Sequence, residues 1–361
     1  MVTFEAQDMY REWEEVFAAI LKAPGATLIL GGTDVGKTTF TRLLANKLLA
    51  AGESIAVLDA DLGQSEIGPP ACVGLAFPLQ PFAALSDLAP HALAFVGRTS
   101  PVGSLLEYAA SITRLAQMAS GRHLIIDTSG YQRGVSARTL YHTLVDLLQP
   151  AHIVALQRGV ELAPTLAPLK YRNVTLHTPS TPVAIAQKPP QLRKIRRAMK
   201  FATYFQNVEQ HIYSFDEVGL FGTWLGGGSP VPAHILAFIN QTFGRNYRVY
   251  YAETHGQDLG LMLQRPLPSE FSPLGIVLQH LKVKAVTLTI APQLKHLLLG
   301  LEGGDGKLLG LGLLETLDFR RRQFGVLTPM RSPSVARAVR FGSLRLLADG
   351  TDLGVLPPYA Q

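Results

Sequence analysis

Cysteine is almost missing from this sequence of 361 residues, with Cys72 standing alone. A single thiol excludes an intrachain disulfide and any cysteine-based zinc site, and it fits a reducing, cytoplasmic setting. Cys72 itself reads as a small core residue. Charge is sparse as well, 17% against 47% hydrophobic residues, which describes a globular protein. No apolar run approaches the roughly 18 residues that a membrane span needs, so no membrane partner is expected. Residues 1–15 carry acids and no basic stretch ahead of an apolar block, unlike a signal peptide. There is no clear repeat of 20 to 50 residues and no long low-complexity tract. The formal charge of +6 leans mildly toward polyanionic partners without establishing one.

What is present is concentrated in one stretch. Gly31-Gly32-Thr33-Asp34-Val35-Gly36-Lys37-Thr38 fills every fixed position of the G-x-x-x-x-G-K-[ST] phosphate-binding pattern. The apolar run 27–30 reads as a buried strand entering the loop. Residues 39–51 place Phe40, Leu43, Leu44, Leu48 and Leu49 at the spacing of a helix packed on a sheet. Backbone N–H groups from Gly32, Thr33, Asp34, Val35, Gly36, Lys37, Thr38 and Thr39 are then expected to close around phosphate oxygens at a helix N-terminus. Lys37 would reach the β- and γ-phosphates, and Thr38 would place its hydroxyl on Mg²⁺. ATP, or another nucleoside triphosphate, and Mg²⁺ are the expected ligands.

Acids follow at the ends of neighbouring strands. Run 54–58 is a second buried strand ending in Asp59-Ala60-Asp61-Leu62-Gly63-Gln64, at the sheet edge where α/β proteins bind ligands. A carboxylate there can hold a magnesium-bound water or take a proton from an attacking hydroxyl, although an isolated pair of acids would read as caps or surface residues. Strand 92–96 leads to Arg98, placed for a phosphate contact or simply on the surface, ahead of a helix over 102–120. Strand 123–127 ends in Asp127, as the second metal-associated motif of phosphate-loop enzymes does. Thr128-Ser129-Gly130-Tyr131-Gln132-Arg133-Gly134 follows, with Tyr131 and Arg133 able to stack on and hold a nucleotide, or Tyr131 to pack internally.

Alternation of strand and helix continues to about residue 177, with a helix over 160–169, which implies a mostly parallel sheet covered on both faces. An amphipathic helix over 6–22, with Met9, Trp13, Phe17 and Leu21 at fourfold spacing, precedes it. Residues 188–200 carry six basic side chains and no acid. That run is expected to form a lid helix, within about 188–205, whose Arg193, Arg196 and Arg197 meet the triphosphate, rather than a solvated basic face. Beyond about 206 the pattern turns to period two, as in Val286-Thr287-Leu288-Thr289-Ile290, with Gly-rich turns. The expected organisation is α/β: a phosphate-loop NTPase domain over 1–205 and a smaller β-rich domain over 206–361. Arg320-Arg321-Arg322 reads there as a solvated hairpin tip, with phosphate contact as the alternative.

The phosphate loop, Asp61-Leu62-Gly63-Gln64, Thr99-Ser100-Pro101, residues 128–134, the basic helix leading to Tyr204-Phe205 and the L-G-L and L-D-F pieces of 298–328 together resemble the Clp1/Grc3 family of polynucleotide 5′-hydroxyl kinases, microbial type. The resemblance implies transfer of the ATP γ-phosphate to the 5′-hydroxyl end of RNA, DNA or both. On matching positions it implies that Lys37 and Thr38 hold phosphate and Mg²⁺ and that Asp61 activates the hydroxyl. Gln64 would lie near the polynucleotide end, and residues from Thr128 and Gly130 to Arg133 would clasp substrate. Asp59 and Asp127 join the metal-binding set. Asp127 stands where many eukaryotic relatives have Asn, which strengthens the metal motif. Tyr131 stands where Trp is frequent, which weakens stacking. Two rival readings are a GTPase of metallochaperone type, suggested by Asp127-Thr128-Ser129-Gly130 but lacking an N-K-x-D motif, and a nucleotide-gated RNA-binding scaffold. The sequence names no protein partner.

Overall fold

The computed structural model describes residues 4–182, 185 and 187–356, and side chains from residue 11 onward. It divides into two compact units, Met1–Lys200 and Phe201–Gln361. The first unit is built from α1 (Phe4–Lys22), β1 (Thr27–Gly31), α2 (Lys37–Ala50), β2 (Ile55–Ala60), β3 (Cys72–Ala76), β4 (Ala92–Phe95), α3 (Leu105–Gln117), β5 (His123–Thr128), α4 (Val135–Leu148), β6 (His152–Leu156), α5 (Ala163–Leu166), β7 (Thr175–His177) and most of α6 (Pro190–Tyr204).

One seven-stranded sheet runs in the order β4-β3-β2-β5-β1-β6-β7. The run from β2 to β7 is parallel, while β3 pairs antiparallel with both neighbours. Leu28–Leu30, Ile55–Leu58, Leu124–Ile126 and Ile153–Leu156 are buried without alternation, as strands covered on both faces must be. One cluster packs Tyr108, Ile112, Leu140, Tyr141 and Leu144 on one face. The other sets Trp13, Phe17, Ile20, Phe40, Leu44 and Leu48 on the opposite face, with Trp13 edge-on to Phe40 at 5.0 Å. Each such side chain contributes about 1.5–3 kcal/mol by leaving water.

Three expectations are corrected. In α1 the buried stripe is Trp13, Val16, Phe17 and Ile20, and Leu21 is exposed; Met9 lies outside the described side chains. The helix expected over 160–169 shrinks to α5 and a 3₁₀ turn, because Pro164 and Pro168 remove backbone donors and crowd the preceding turn. The short run 72–76, framed by prolines, forms β3 where no strand was expected.

The second unit contains β8 (Glu209–Ser214), β9 (Gly219–Phe221), β10 (Ser229–Pro230), α7 (Ala233–Phe243), β11 (Val249–His255), β12 (Asp258–Leu263), α8 (Ser272–Leu281), β13 (Ala285–Ile290), α9 (Ala291–Leu294), β14 (Leu297–Glu302), β15 (Leu308–Asp318), β16 (Gln323–Thr328), β17 (Ala338–Leu346) and β18 (Asp352–Val355). Its strands form a sheet β18-β17-β14-β15-β16-β8, joined by β9, and a four-stranded sheet β10-β11-β12-β13. Two unanticipated helices, α7 and α8, bury Ile239, Phe243 and Val277 against Leu259, Leu261 and Leu263. The Gly226-Gly227-Gly228 stretch is ordered, since the buried Glu253 carboxylate accepts N–H groups from Gly226 and Gly228 at 2.9 and 3.2 Å. Among the described residues no helix is long and apolar enough to cross a membrane.

Candidate active site at the phosphate loop

Strand β1 delivers the chain to Gly31, and α2 begins at Lys37, so the intervening loop must reverse within five residues. Gly36 caps α2 at φ 96°, a left-handed conformation, and a Cβ there would stand 2.2 Å from Ile185 Cδ1. A Cβ on Gly32 would stand 2.4 Å from Gln132 Nε2. Ile185 and Gln132 therefore leave no room for a Cβ at either position, and glycine is required at both. Lys37 is buried, and its Nζ donates to the Gly32 carbonyl at 2.7 Å. The ammonium is thus held inside the loop where phosphate oxygens would sit.

Thr38 and Asp127 form the second half of the site. Parallel pairing sets Asp127 at the end of β5 opposite Ile29 of β1 and Asp59 of β2. The Thr38 hydroxyl donates to Asp127 Oδ2 at 2.7 Å. Asp127 Oδ1 is buried and has no hydrogen-bond partner among the described residues. Burial raises its carboxyl to about 6, opposed by the Lys37 charge and the Thr38 hydrogen bond. A buried carboxylate oxygen left unsatisfied beside a threonine hydroxyl suits a hard divalent cation or its bound water. No group of three or more metal-ligating acids, histidines or cysteines converges among the described residues.

The two acids after β2 divide their work. Asp59, expected among the metal-binding residues, has Oδ1 accepting the Asp61 N–H and Oδ2 accepting those of Glu66 and Ile67 at 3.0 Å or less. Burial, reinforced by the Asp127 charge, raises its carboxyl to about 7, while the Ile67 and Glu66 amides pull it down. Asp59 thereby anchors loop 61–67. Asp61 lies at the loop's start, half-buried, with Oδ1 accepting the N–H groups of Gly63 and Gln64 at 3.0 Å. Those two bonds fix the carboxylate's orientation.

The basic helix reaches the loop through Arg193. Its Nη1 donates to Asp34 Oδ2 and to the Lys188 carbonyl, both at 2.8 Å, and Asp34 also accepts the Lys188 N–H. Gln64 Nε2 donates to the Arg193 carbonyl at 3.2 Å. Lys200 donates to Glu66 at 2.8 Å and to the Ser65 carbonyl. Arg197 is half-buried on the same helical face, whereas Arg196 is exposed and makes no bond among the described residues. Lys200 was missed by sequence reasoning, although its seven-residue spacing from Arg193 was a usable signal.

Other expected residues are placed as follows. Thr128, expected to clasp substrate, donates its hydroxyl to the Ile29 carbonyl at 2.7 Å and ties β5 to β1. Arg98, expected at a phosphate, is buried and donates to the Val102 carbonyl at 3.0 Å, bracing the turn before α3. Burial lowers its pKa. Gly130 abuts the loop so closely that a Cβ would stand 2.5 Å from Thr33 Oγ1. Beside it, Tyr131, Gln132 and Arg133 join Gly32, Thr33 and Arg158 around a cleft of about 430 Å³. Tyr131 is half-exposed, its hydroxyl 2.8 Å from Ser136 Oγ. Behind the site, two fully buried tyrosines hold the strand ends together. Tyr108 donates to the Ala60 carbonyl at 2.9 Å and accepts the Ser129 N–H at 3.2 Å, and Tyr141 donates to the Ser129 carbonyl at 3.0 Å. No sequence signal separates them from ordinary core aromatics.

Residues 31–207 match the family described as mRNA cleavage and polyadenylation factor CLP1 P-loop. The polyribonucleotide 5′-hydroxyl-kinase of Pyrococcus abyssi is 31% identical over 340 residues, 93% of this chain and 92% of that protein. That of Thermococcus kodakarensis is 29% identical over 92% of this chain and 91% of its own length. Human polynucleotide 5′-hydroxyl-kinase NOL9 is 33% identical over 35% of this chain and 18% of its own. In fold, the wild-type Clp1p in complex with Pcf11p aligns with a TM-score of 0.55 at 14% identity, covering 94% of this chain and 79% of that one. The phosphate loop, its buried aspartate and near full-length similarity to the archaeal proteins lead to one conclusion: the chain belongs to the Clp1/Grc3 family of polynucleotide 5′-hydroxyl kinases.

Proposed function

We propose that this protein transfers the γ-phosphate of ATP to the 5′-hydroxyl end of a polynucleotide, RNA or DNA. The observation that carries the reading is the joint placement of Lys37, Thr38 and the unsatisfied Asp127 oxygen at one strand edge, with Asp61 on the loop after the neighbouring strand. Lys37 moves from the Gly32 carbonyl to the phosphates. Thr38 and Asp127 hold the cation. Mg²⁺, when bound, neutralises the β- and γ-phosphate oxygens. Asp61, oriented by two backbone amides, takes the proton of the attacking 5′-hydroxyl. Arg193 exchanges Asp34 for the transferring phosphoryl group, with Arg197 beside it on the same helix. Tyr131 and Arg133 line the cleft that would receive the acceptor's terminal nucleotide. The catalytic work belongs to residues 1–205, with 188–205 as lid and 206–361 as a second domain.

The GTPase reading finds no support in the segment where guanine would be read. Gln157 Oε1 accepts the Leu162 N–H at 2.9 Å, and Arg158 donates to the carbonyls of Asp34 and Ile185 at 3.1 and 2.7 Å. These groups are committed to the fold. A nucleotide-gated scaffold with a degenerate site would not retain Lys37, Thr38, Asp61 and Asp127 together. The test incubates the protein with γ-labelled ATP or GTP and matched 5′-hydroxyl and 5′-phosphate oligomers of RNA and DNA. Label on 5′-hydroxyl acceptors alone supports the kinase; phosphate release indifferent to the 5′ end refutes it.

A further inference from the structure

The second unit holds a groove of about 970 Å³ between β11, the start of α9 and the β15–β16 hairpin. Arg248, Tyr250, Lys295, Phe319, Arg320 and Arg321 line it. The two acids on its wall are already occupied. Glu315 pairs with Lys295 at 2.8 Å, and Asp318 accepts the backbone N–H groups of Arg320 and Arg321 at 3.0 Å. Arg248 and Arg320 are left without a carboxylate partner among the described residues, both exposed. The third arginine of the hairpin differs in kind: Arg322 binds Asp216 at 2.7 Å and the Tyr251 hydroxyl at 3.3 Å, so it fixes the hairpin.

Aromatic rings alternate with these cations. The Arg248 guanidinium sits over Tyr250, 5.6 Å from its centroid. Phe319 stacks on Tyr251 at 5.0 Å and 11°, and Tyr251 stacks in turn on Trp224 at 6.4 Å and 11°. A ring backed by two parallel rings is a rigid platform. Unpaired cations interleaved with aromatic faces in an open groove match the chemistry of single-stranded nucleic acid, where bases stack and phosphates meet arginine without base reading. A hairpin tip that was merely solvated would not need the stacked support.

We infer that this groove binds the body of a single-stranded polynucleotide, a site separate from the one that receives the 5′ end. The inference rests on the kinase reading only for the identity of the strand. It is tested with the full-length protein by fluorescence anisotropy on 5′-phosphorylated oligouridylates from about 4 to about 30 nucleotides, a range spanning typical single-strand site sizes. Wild-type affinity should rise with length. The double variant Arg248→Ala/Arg320→Ala should bind the longest oligomer about 10-fold more weakly, and its slope of log K against log salt should shrink by about 1.4, roughly 0.7 per cation removed. Arg320→Ala alone, on an exposed turn, should give about half that slope change and guards against a folding defect. With 5′-hydroxyl acceptors, KM for the long oligomer should rise in parallel while turnover of the shortest stays unchanged. Unaltered affinity and salt slope in both variants overturn the inference, as does equal loss on the shortest oligomer. Competition by polyglutamate as effective as by oligouridylate overturns it too, in favour of an acidic protein partner. Should wild type bind as described yet label no 5′-hydroxyl end, the groove stands and the kinase reading falls.

Discussion

Replacing Tyr108 with phenylalanine removes one oxygen and strands two backbone groups. The hydroxyl lies in the fully buried core, donating to the Ala60 carbonyl and accepting the Ser129 N–H. At zero exposure the two groups are out of reach of bulk solvent. Each stranded buried group costs about 1–3 kcal/mol, partly offset because one hydroxyl no longer has to be desolvated, so the expected loss is about 2–3 kcal/mol. For a unit of this size that corresponds to a fall in Tm of roughly 4–12 °C. Tyr141→Phe strands the Ser129 carbonyl and should cost about 1 kcal/mol. Because both side chains meet at Ser129, the double variant should lose less than the sum of the two. Urea unfolding followed by Trp13 fluorescence in a Trp224→Phe background reports on the first unit alone. The functional consequence is specific: Ala60 and Ser129 precede Asp61 and Gly130, so turnover should fall with KM for ATP nearly unchanged. Stability within about 0.5 kcal/mol of wild type, the scatter of surface substitutions, would refute the reasoning.

Three further outcomes are expected. Lys37→Ala should reduce phosphoryl transfer by at least about 100-fold, the scale of one lost preorganised charge contact, while circular dichroism and unfolding stay near wild type. Asp34→Asn keeps a residue type that tolerates the left-handed backbone at φ 57° yet loosens Arg193, so ATP should bind several-fold more tightly by calorimetry. Weaker or equal binding would show that Arg193 is not held back by Asp34. His177 is depressed by burial and by His152, whose Nδ1 lies 3.0 Å from His177 Nε2 while its Nε2 donates to the Ala23 carbonyl. The unfolded chain therefore binds the proton first as pH falls, so stability should drop below about pH 6.5 and His177→Gln should flatten that drop. An unchanged pH profile of unfolding in the variant would count against this assignment.

Near-continuous apolar runs, the spacing of Phe40, Leu44 and Leu48, and the glycine-rich turn into Lys37 were enough to read a parallel sheet and its phosphate loop from sequence, because local periodicity and one covalently contiguous motif encode them. The helices α7 and α8 escaped notice because their apolar residues lie among strands of similar composition, and α5 was overextended across two prolines. Groups whose role depends on a partner far along the chain stayed out of reach. Asp59 and Asp61 sit two residues apart with the same side chain, yet one is consumed by the amides of Glu66 and Ile67 while the other stands half-open at the loop's start. Only the pairing of β1 with β5 showed that the Thr128 hydroxyl meets the Ile29 carbonyl. The chain alone thus determined which chemistry is available, since residue types and their spacing survive in any conformation. Which carboxylate stays half-open, and which tyrosines brace the strand end behind it, was decided only when the strands and helices were packed, because hydrogen-bond partners are chosen in space.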